Sequence, residues 1–141
     1  MKTFVDSELA VAHLVFRVAD LKRSCHFYSN LGIPPFAIDG KIALIELRGG
    51  THLLLLEVDQ LAGEGLAESV TGQFHQRFSE QFDLMINGKG LSDLELYRLE
   101  LISRGIAAGE IPDETFFGHH LFCVTDPDGN GITIYTSHAI Q

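Results

Sequence analysis

The stretch HLVFRVADL, residues 13–21, decides the fold of this 141-residue chain. Its apolar and β-branched residues, with His13 and Arg17 among them, predict a strand over residues 11–18. Because side chains on a strand alternate between faces, His13, Val15 and Arg17 share one face. Asp20 supplies an N-cap, so a helix is expected directly after the strand.

That helix carries apolar residues at the helical period and ends at Gly32, since glycine accepts the left-handed backbone conformation. Pro34 and Pro35 prevent its continuation. Three strands are expected next, near residues 36–38, 41–47 and 52–58. The first part of the chain therefore has the order βαβββ.

The same order recurs about 70 residues later, with Asp83 in the place of His13. A strand is expected at 82–86, and the capping box Ser92–Glu95 opens a helix that ends at Gly105. Three further strands are expected near residues 107–111, 119–125 and 132–136. This internal duplication predicts an α+β fold, in which two βαβββ modules form curved, mostly antiparallel sheets around a cleft.

The length suits one domain over residues 1–141. Module one covers about 9–58 and module two about 82–137. The connector at 59–81 is long for a compact domain, which predicts a flap or a crossover.

Composition excludes several classes of function. The net charge of −9 makes the chain a poor partner for nucleic acid. No apolar run reaches the roughly 20 residues that a membrane span needs, and the first nine residues lack a signal peptide's apolar stretch. Cys25 and Cys123 show no CxxC spacing and are expected to be free thiols. A cytoplasmic location without membrane partners follows as the expectation.

Strand alternation also predicts a ligand cleft on the faces that the helices leave open. An ionisable His and Arg on an apolar strand imply a polar cavity, because an unpaired buried charge is costly. A small-molecule ligand is expected there. His52, which faces away from Glu57, is expected to be structural. The residues expected to line the cleft are His13, Arg17, Glu57, Asp83, Asn87, His119, Cys123, Thr133 and Tyr135.

The doubled βαβββ order, the His13–Arg17 spacing and the turn DPDGN at 126–130 together resemble the vicinal-oxygen-chelate superfamily. That superfamily includes glyoxalases, bleomycin-resistance proteins and extradiol dioxygenases. The resemblance covers roughly residues 9–137. It implies paired modules around a cleft, and a homodimer in which that cleft is often shared between chains.

The resemblance also implies a metal site, since metal-dependent members carry ligands on the first and last strands of each module. These positions fall on His13, Glu57, Asp83 and Thr133. Asp83 stands where the family usually has His, and Thr133 where it usually has Glu. One nitrogen and two oxygen donors from the first three would suit Zn, Ni, Mn or Fe. If the missing carboxylate marks a relict site, no metal is bound.

Two hypotheses about function stay open. In the first, a glyoxalase-like lyase, isomerase or dioxygenase acts on a small oxygen-bearing molecule by metal-assisted proton transfer. Glu57 would be the base, and Arg17 would hold a substrate carboxylate. In the second, a metal-free protein of the bleomycin-resistance type sequesters a small molecule. The presence of His13, Glu57 and Arg17 favours the first, whereas the acidic charge and Thr133 favour the second.

Overall fold

A computed structural model describes residues 11–58, 81–86 and 89–137. Module one consists of strand β1 (His13–Val18), helix α1 (Leu21–Leu31) and strands β2 (Ala37–Asp39), β3 (Ile42–Glu46) and β4 (His52–Glu57). Module two consists of strand β5 (Gln81–Ile86), helix α2 (Leu91–Ser103) and strands β6 (Leu121–Thr125) and β7 (Gly131–Thr136).

The strands form two sheets, one with the order β1-β4-β3-β2 and one with the order β5-β7-β6. In each module the first strand pairs in parallel with the last, as β1 with β4 and β5 with β7. The other three pairs are antiparallel. This repeated arrangement confirms the α+β fold with two related modules.

Helix α1 begins and ends where its sequence predicts. The Asp20 carboxylate accepts the backbone N–H of Arg23 at 3.1 Å, as an N-cap does. Gly32 follows the helix with φ 109°, in the left-handed region that favours glycine. Within the described ranges, no helix is long and apolar enough to cross a membrane.

The start of α2 differs from the prediction. The N-cap residue is Gly90 rather than Ser92, and the helix begins at Leu91. The Asp93 carboxylate reaches back to accept the Gly90 N–H at 3.4 Å. The acidic side chain three residues into the helix is therefore Asp93, and the predicted Ser92–Glu95 box is wrong.

The strand expected at 107–111 is also wrong. In this part of the described chain only one bridge forms, between Ala108 and Val124. The Arg98 guanidinium donates to the carbonyls of Ala108 and Gly109 instead. A side chain from α2 thus takes the acceptors that a neighbouring strand would use.

One hydrophobic cluster spans both modules. Phe16 of β1 and Phe82 of β5 meet edge to face, with ring centroids 4.9 Å apart. The two helices are tied as well, because the Tyr97 hydroxyl donates to the Leu31 carbonyl and Arg104 donates to the Asn30 carbonyl. The helix-facing sides of both sheets are therefore buried in a shared core, and the opposite sides stay open.

Candidate functional site

Each sheet has a helix face and an open face. On β1, Phe16 and Val18 are buried under the helices, whereas His13 and Val15 are exposed. Strand alternation predicts this division, and the shared face of His13, Val15 and Arg17 is confirmed. Arg17 is half-buried on the open side.

Glu57 lies on the helix face, not on the face of His13. In the parallel pair of β1 and β4 it stands beside Val18, and its strand neighbours Leu53 and Leu55 are fully buried. Its carboxylate accepts the backbone N–H of Leu21 at 2.8 Å, at the first residue of α1. An acid suits this position because the helix N-terminus is positively polarised. The prediction that Glu57 shares the cleft with His13 is therefore wrong.

The same register brings His52 onto the open face, beside His13. The two imidazole rings stack, with centroids 5.7 Å apart and planes at 26°. Glu46 is the next residue in the same cross-strand row. His52 faces away from Glu57, as expected, and therefore lies on the open face of the first sheet. Its place next to His13 was missed by the sequence reasoning.

Module two places four of the expected residues on its open face. Asp83, Thr133 and Cys123 stand side by side across β5, β7 and β6. Thr133 is buried. The Gln81 side chain donates a hydrogen bond to the Thr133 hydroxyl at 3.2 Å, and the Cys123 sulfur lies 3.5 Å from the same hydroxyl oxygen. Burial, the Asp83 charge and a hydrogen bond to that carboxylate raise the pKa of Tyr135. Tyr135 therefore keeps its proton well into the alkaline range.

His119 lies at the rim of this face. Its Nδ1 is 2.7 Å from the Thr136 carbonyl, which only accepts, so Nδ1 carries a proton. A neutral ring then has its lone pair on Nε2. His119 and Tyr135 meet edge to face at 5.7 Å, and Phe116 lies 6.4 Å from Tyr135. Phe116 and its neighbour Phe117 were not predicted from the sequence. Two adjacent aromatic residues before Gly118 could have indicated an aromatic turn at this position.

The expected metal ligands do not fit a shared ion. His13 and Asp83 lie on the open faces of different sheets, and Glu57 lies on the opposite face with its carboxylate on α1. Among the described side chains, no three His, Cys, Asp or Glu are grouped closely enough to hold a metal. Within the described part of this single chain, the donor set predicted from the sequence for Zn, Ni, Mn or Fe is therefore not assembled. Asn87 lies outside the described residues.

A cavity of about 1040 Å³ lies between the modules, along β5. Its described lining is mostly apolar and includes Leu14, Leu31 and Tyr97. It reaches the open face of module two at Asp83 and Met85. A small molecule on the open face of module two could therefore extend past β5 into this cavity.

Comparison with known proteins agrees with this architecture. TnmS3, an antibiotic-binding protein from Streptomyces sp. CB03234, is 18% identical, with a TM-score of 0.66 over 91% of this chain and 95% of its own. The oxidase ChaP-H2 is 16% identical, with a TM-score of 0.65 over 92% and 94%. A glyoxalase/bleomycin resistance protein from Catenulispora acidiphila is 20% identical, with a TM-score of 0.63 over 91% and 99%. At these identities the likeness concerns the fold.

Sequence comparison supplies the family. No curated protein matches the chain significantly. The sequence model of the Glyoxalase/Bleomycin resistance protein/Dioxygenase superfamily, however, matches residues 10–134, which is most of the chain. Together with the doubled module, this match shows that the chain belongs to the glyoxalase/bleomycin resistance protein/dioxygenase superfamily.

Proposed function

We propose that this chain is a small-molecule-binding protein that takes its ligand on the open faces of its two sheets, with Glu57 serving neither as metal ligand nor as base. The placement of Glu57 carries the second part of this proposal. The carboxylate that metal-assisted proton transfer would use accepts the Leu21 N–H on the far side of the sheet. A one-residue change of strand register would be needed to bring it to the cleft.

The chemistry of the open faces supports binding. Val15, Met85 and Phe116 are exposed apolar side chains, and Asp83, His119 and Tyr135 offer hydrogen-bonding groups beside them. Ligand sites in proteins combine an apolar lining with a few polar groups in this way. The net charge of −9 favours a neutral or cationic ligand. The fold is shared with TnmS3, which is described as an antibiotic-binding protein.

A ligand screen by thermal shift tests the proposal, because a compound that binds only the folded chain raises the melting temperature. We expect at least one organic compound to raise it equally with and without EDTA. Glu57→Ala should lower stability by about 1 kcal/mol, since a cap and a favourable dipole contact are lost. The affinity for the compound should stay within about twofold of the wild type, as Glu57 faces away from the ligand.

The matched control is Glu57→Gln, which keeps an acceptor for the Leu21 N–H and should retain most of the stability. Metal analysis of protein purified without a His-tag completes the test. A stoichiometric metal that is lost in both His13→Ala and Glu57→Gln would contradict the proposal and restore the metal-dependent hypothesis.

We also propose a homodimer in which the open faces contribute to the contact. Val15, Ile42 and Met85 are large apolar side chains that the single chain leaves exposed on these faces. Light scattering should give twice the monomer mass, and Val15→Lys should shift the equilibrium toward monomer. Leu99→Lys, an equally drastic change on the outer surface of α2, is the control. If Leu99→Lys alone dissociates the dimer, the contact lies on α2 instead.

We propose a cytoplasmic location, which the two free thiols of Cys25 and Cys123 support. Secreted domains of this size commonly use cysteines in disulfides, whereas a reducing compartment keeps cysteines as free thiols.

A further inference from the structure

We propose that the cavity between the modules is a second binding site, which takes the alkyl chain of a free, single-chain amphiphile with a neutral or cationic head. This site goes beyond the proposed function, because side chains on the helix faces of the sheets form much of its described lining. Those side chains are Leu14 of β1, Phe82 and Leu84 of β5, and Ile134 of β7.

The cavity lies where the two sheets fail to join. Among the described strands, β1 pairs with β4 alone and β5 with β7 alone, so β1 and β5 are both sheet edges. Phe16 and Phe82 close one part of the gap between these edges, with their rings 4.9 Å apart. The packing of the rest of the gap therefore depends on the side chains at its other end.

The internal duplication explains why that other end stays open. It sets Ala12 in the place of Phe82. Likewise, Ile86 takes the place of Phe16. The counterpart of the ring pair is thus an alanine and an isoleucine, which fill less space than two rings. Val11 and Ile86 line the cavity at this end.

The cavity leaves apolar side chains incompletely covered. Five of them pack against the core and also line the cavity, and all are only partly buried: Leu14, Ile33, Leu47, Leu84 and Ile86. A volume of about 1040 Å³ is that of a ligand pocket, since voids left between packed core side chains are far smaller. An apolar lining favours an apolar occupant, because water there would lack hydrogen-bond partners.

The shape of the lining favours an alkyl chain. Phe82, Leu84 and Ile86 take alternate positions along β5, and all three line the cavity. The apolar lining therefore follows the strand for about 13 Å, at the rise of a β-strand. An extended alkyl chain lies along such a surface and buries each of its methylene groups there.

The charges beside the cavity select the head group. Its described lining includes four exposed carboxylates and two exposed cations, which are Glu46, Asp83, Asp93, Glu100, Arg48 and Lys89. The whole chain carries −9. An anionic head would be repelled by this surplus of carboxylates, whereas a neutral or cationic head is accepted.

Calorimetric titration of the full chain tests the site with hexyl- and decyltrimethylammonium, each kept below its micelle concentration. One molecule should bind per chain, and each added methylene should tighten binding by about threefold, as expected for buried apolar surface. Decanoate, which has an anionic head, should bind at least about fivefold more weakly than decyltrimethylammonium. Near-UV circular dichroism should stay unchanged on binding, because the amphiphile enters the folded chain.

Two variants add a ring to the gap. Leu84→Trp and Ala12→Phe should each weaken decyltrimethylammonium binding by about tenfold, because the ring occupies the space of the alkyl chain. The melting temperature of the free protein should stay within about 2 °C of the wild type or rise, since filling a cavity adds contacts. Leu99→Trp, the same kind of change on the outer surface of α2, is the control and should leave binding unchanged.

Three results would each overturn the proposal. The first is binding of the hexyl and decyl compounds within twofold of each other. The second is binding of decyltrimethylammonium within twofold of the wild type by whichever of Leu84→Trp and Ala12→Phe keeps the native near-UV spectrum. The third is binding that proceeds only with loss of that spectrum in the wild type, which would show unfolding by the amphiphile instead of a site.

Discussion

Replacing Asp126 with alanine is expected to lower the free energy of unfolding by about 3–5 kcal/mol. Asp126 is 4% exposed, and its carboxylate accepts four hydrogen bonds. Two come from the backbone N–H groups of Asp128 and Asn130, at 2.9 and 2.8 Å. The others come from the Tyr28 hydroxyl at 2.8 Å and the Asn130 amide at 2.9 Å. Alanine would leave these buried donors without an acceptor, which costs more than the bonds themselves contribute.

The bond to Tyr28 also joins the modules, because Tyr28 lies on α1 and Asp126 in the turn before β7. Burial and the Asp126 carboxylate raise the pKa of Tyr28, so its hydroxyl stays a donor. Urea denaturation measures the loss. Tyr28→Phe removes one of the four bonds and should cost about 1–2 kcal/mol, whereas Asp113→Ala, at an exposed position, should cost less than about 0.5 kcal/mol. An Asp126→Ala loss no larger than that of Asp113→Ala would refute the role of the turn.

Phe16→Ala is expected to lower stability by about 3–5 kcal/mol and to destabilise both modules together. Phe16 is buried and packs edge to face on Phe82, so its ring lies at the junction of the two sheets. We propose that residues 1–141 form one domain. Unfolding should then follow one cooperative transition, which the variant shifts as a whole.

Two probes of urea denaturation check this expectation, far-UV circular dichroism for the backbone and near-UV circular dichroism for the tyrosine environments. Their transitions should coincide in the wild type and in Phe16→Ala. Phe36→Ala is the control, since Phe36 is 67% exposed and should tolerate the change within about 0.5 kcal/mol. Separate transitions for the two probes would contradict a single cooperative unfolding transition.

The turn at 126–130, in which Asp126 and Asn130 are buried, illustrates what local sequence leaves out. Its composition predicts a turn, and a turn is present, with the Gly129 N–H bonded to the Asp126 carbonyl. Its second role involves residues about 100 positions away. Asp128 accepts the Ala19 N–H and the Ser24 hydroxyl, and it pairs with Arg23 at 3.3 Å. Burial raises the pKa of Asp128, and these donors lower it in part. Local turn chemistry cannot reveal such a contact between modules.

By itself, the sequence determined the duplicated modules, the ends of α1 and the faces of β1. Each of these follows from local signals: capping residues, a glycine with φ 109°, and polar residues alternating with apolar ones. Only the tertiary structure decided the face of Glu57. The run HLLLLE of β4 is apolar on both faces, so alternation carries no information there. Pairing with β1 places Glu57 beside Val18 and under α1. The register between strands, which no single strand encodes, thus separated the proposed base from the site.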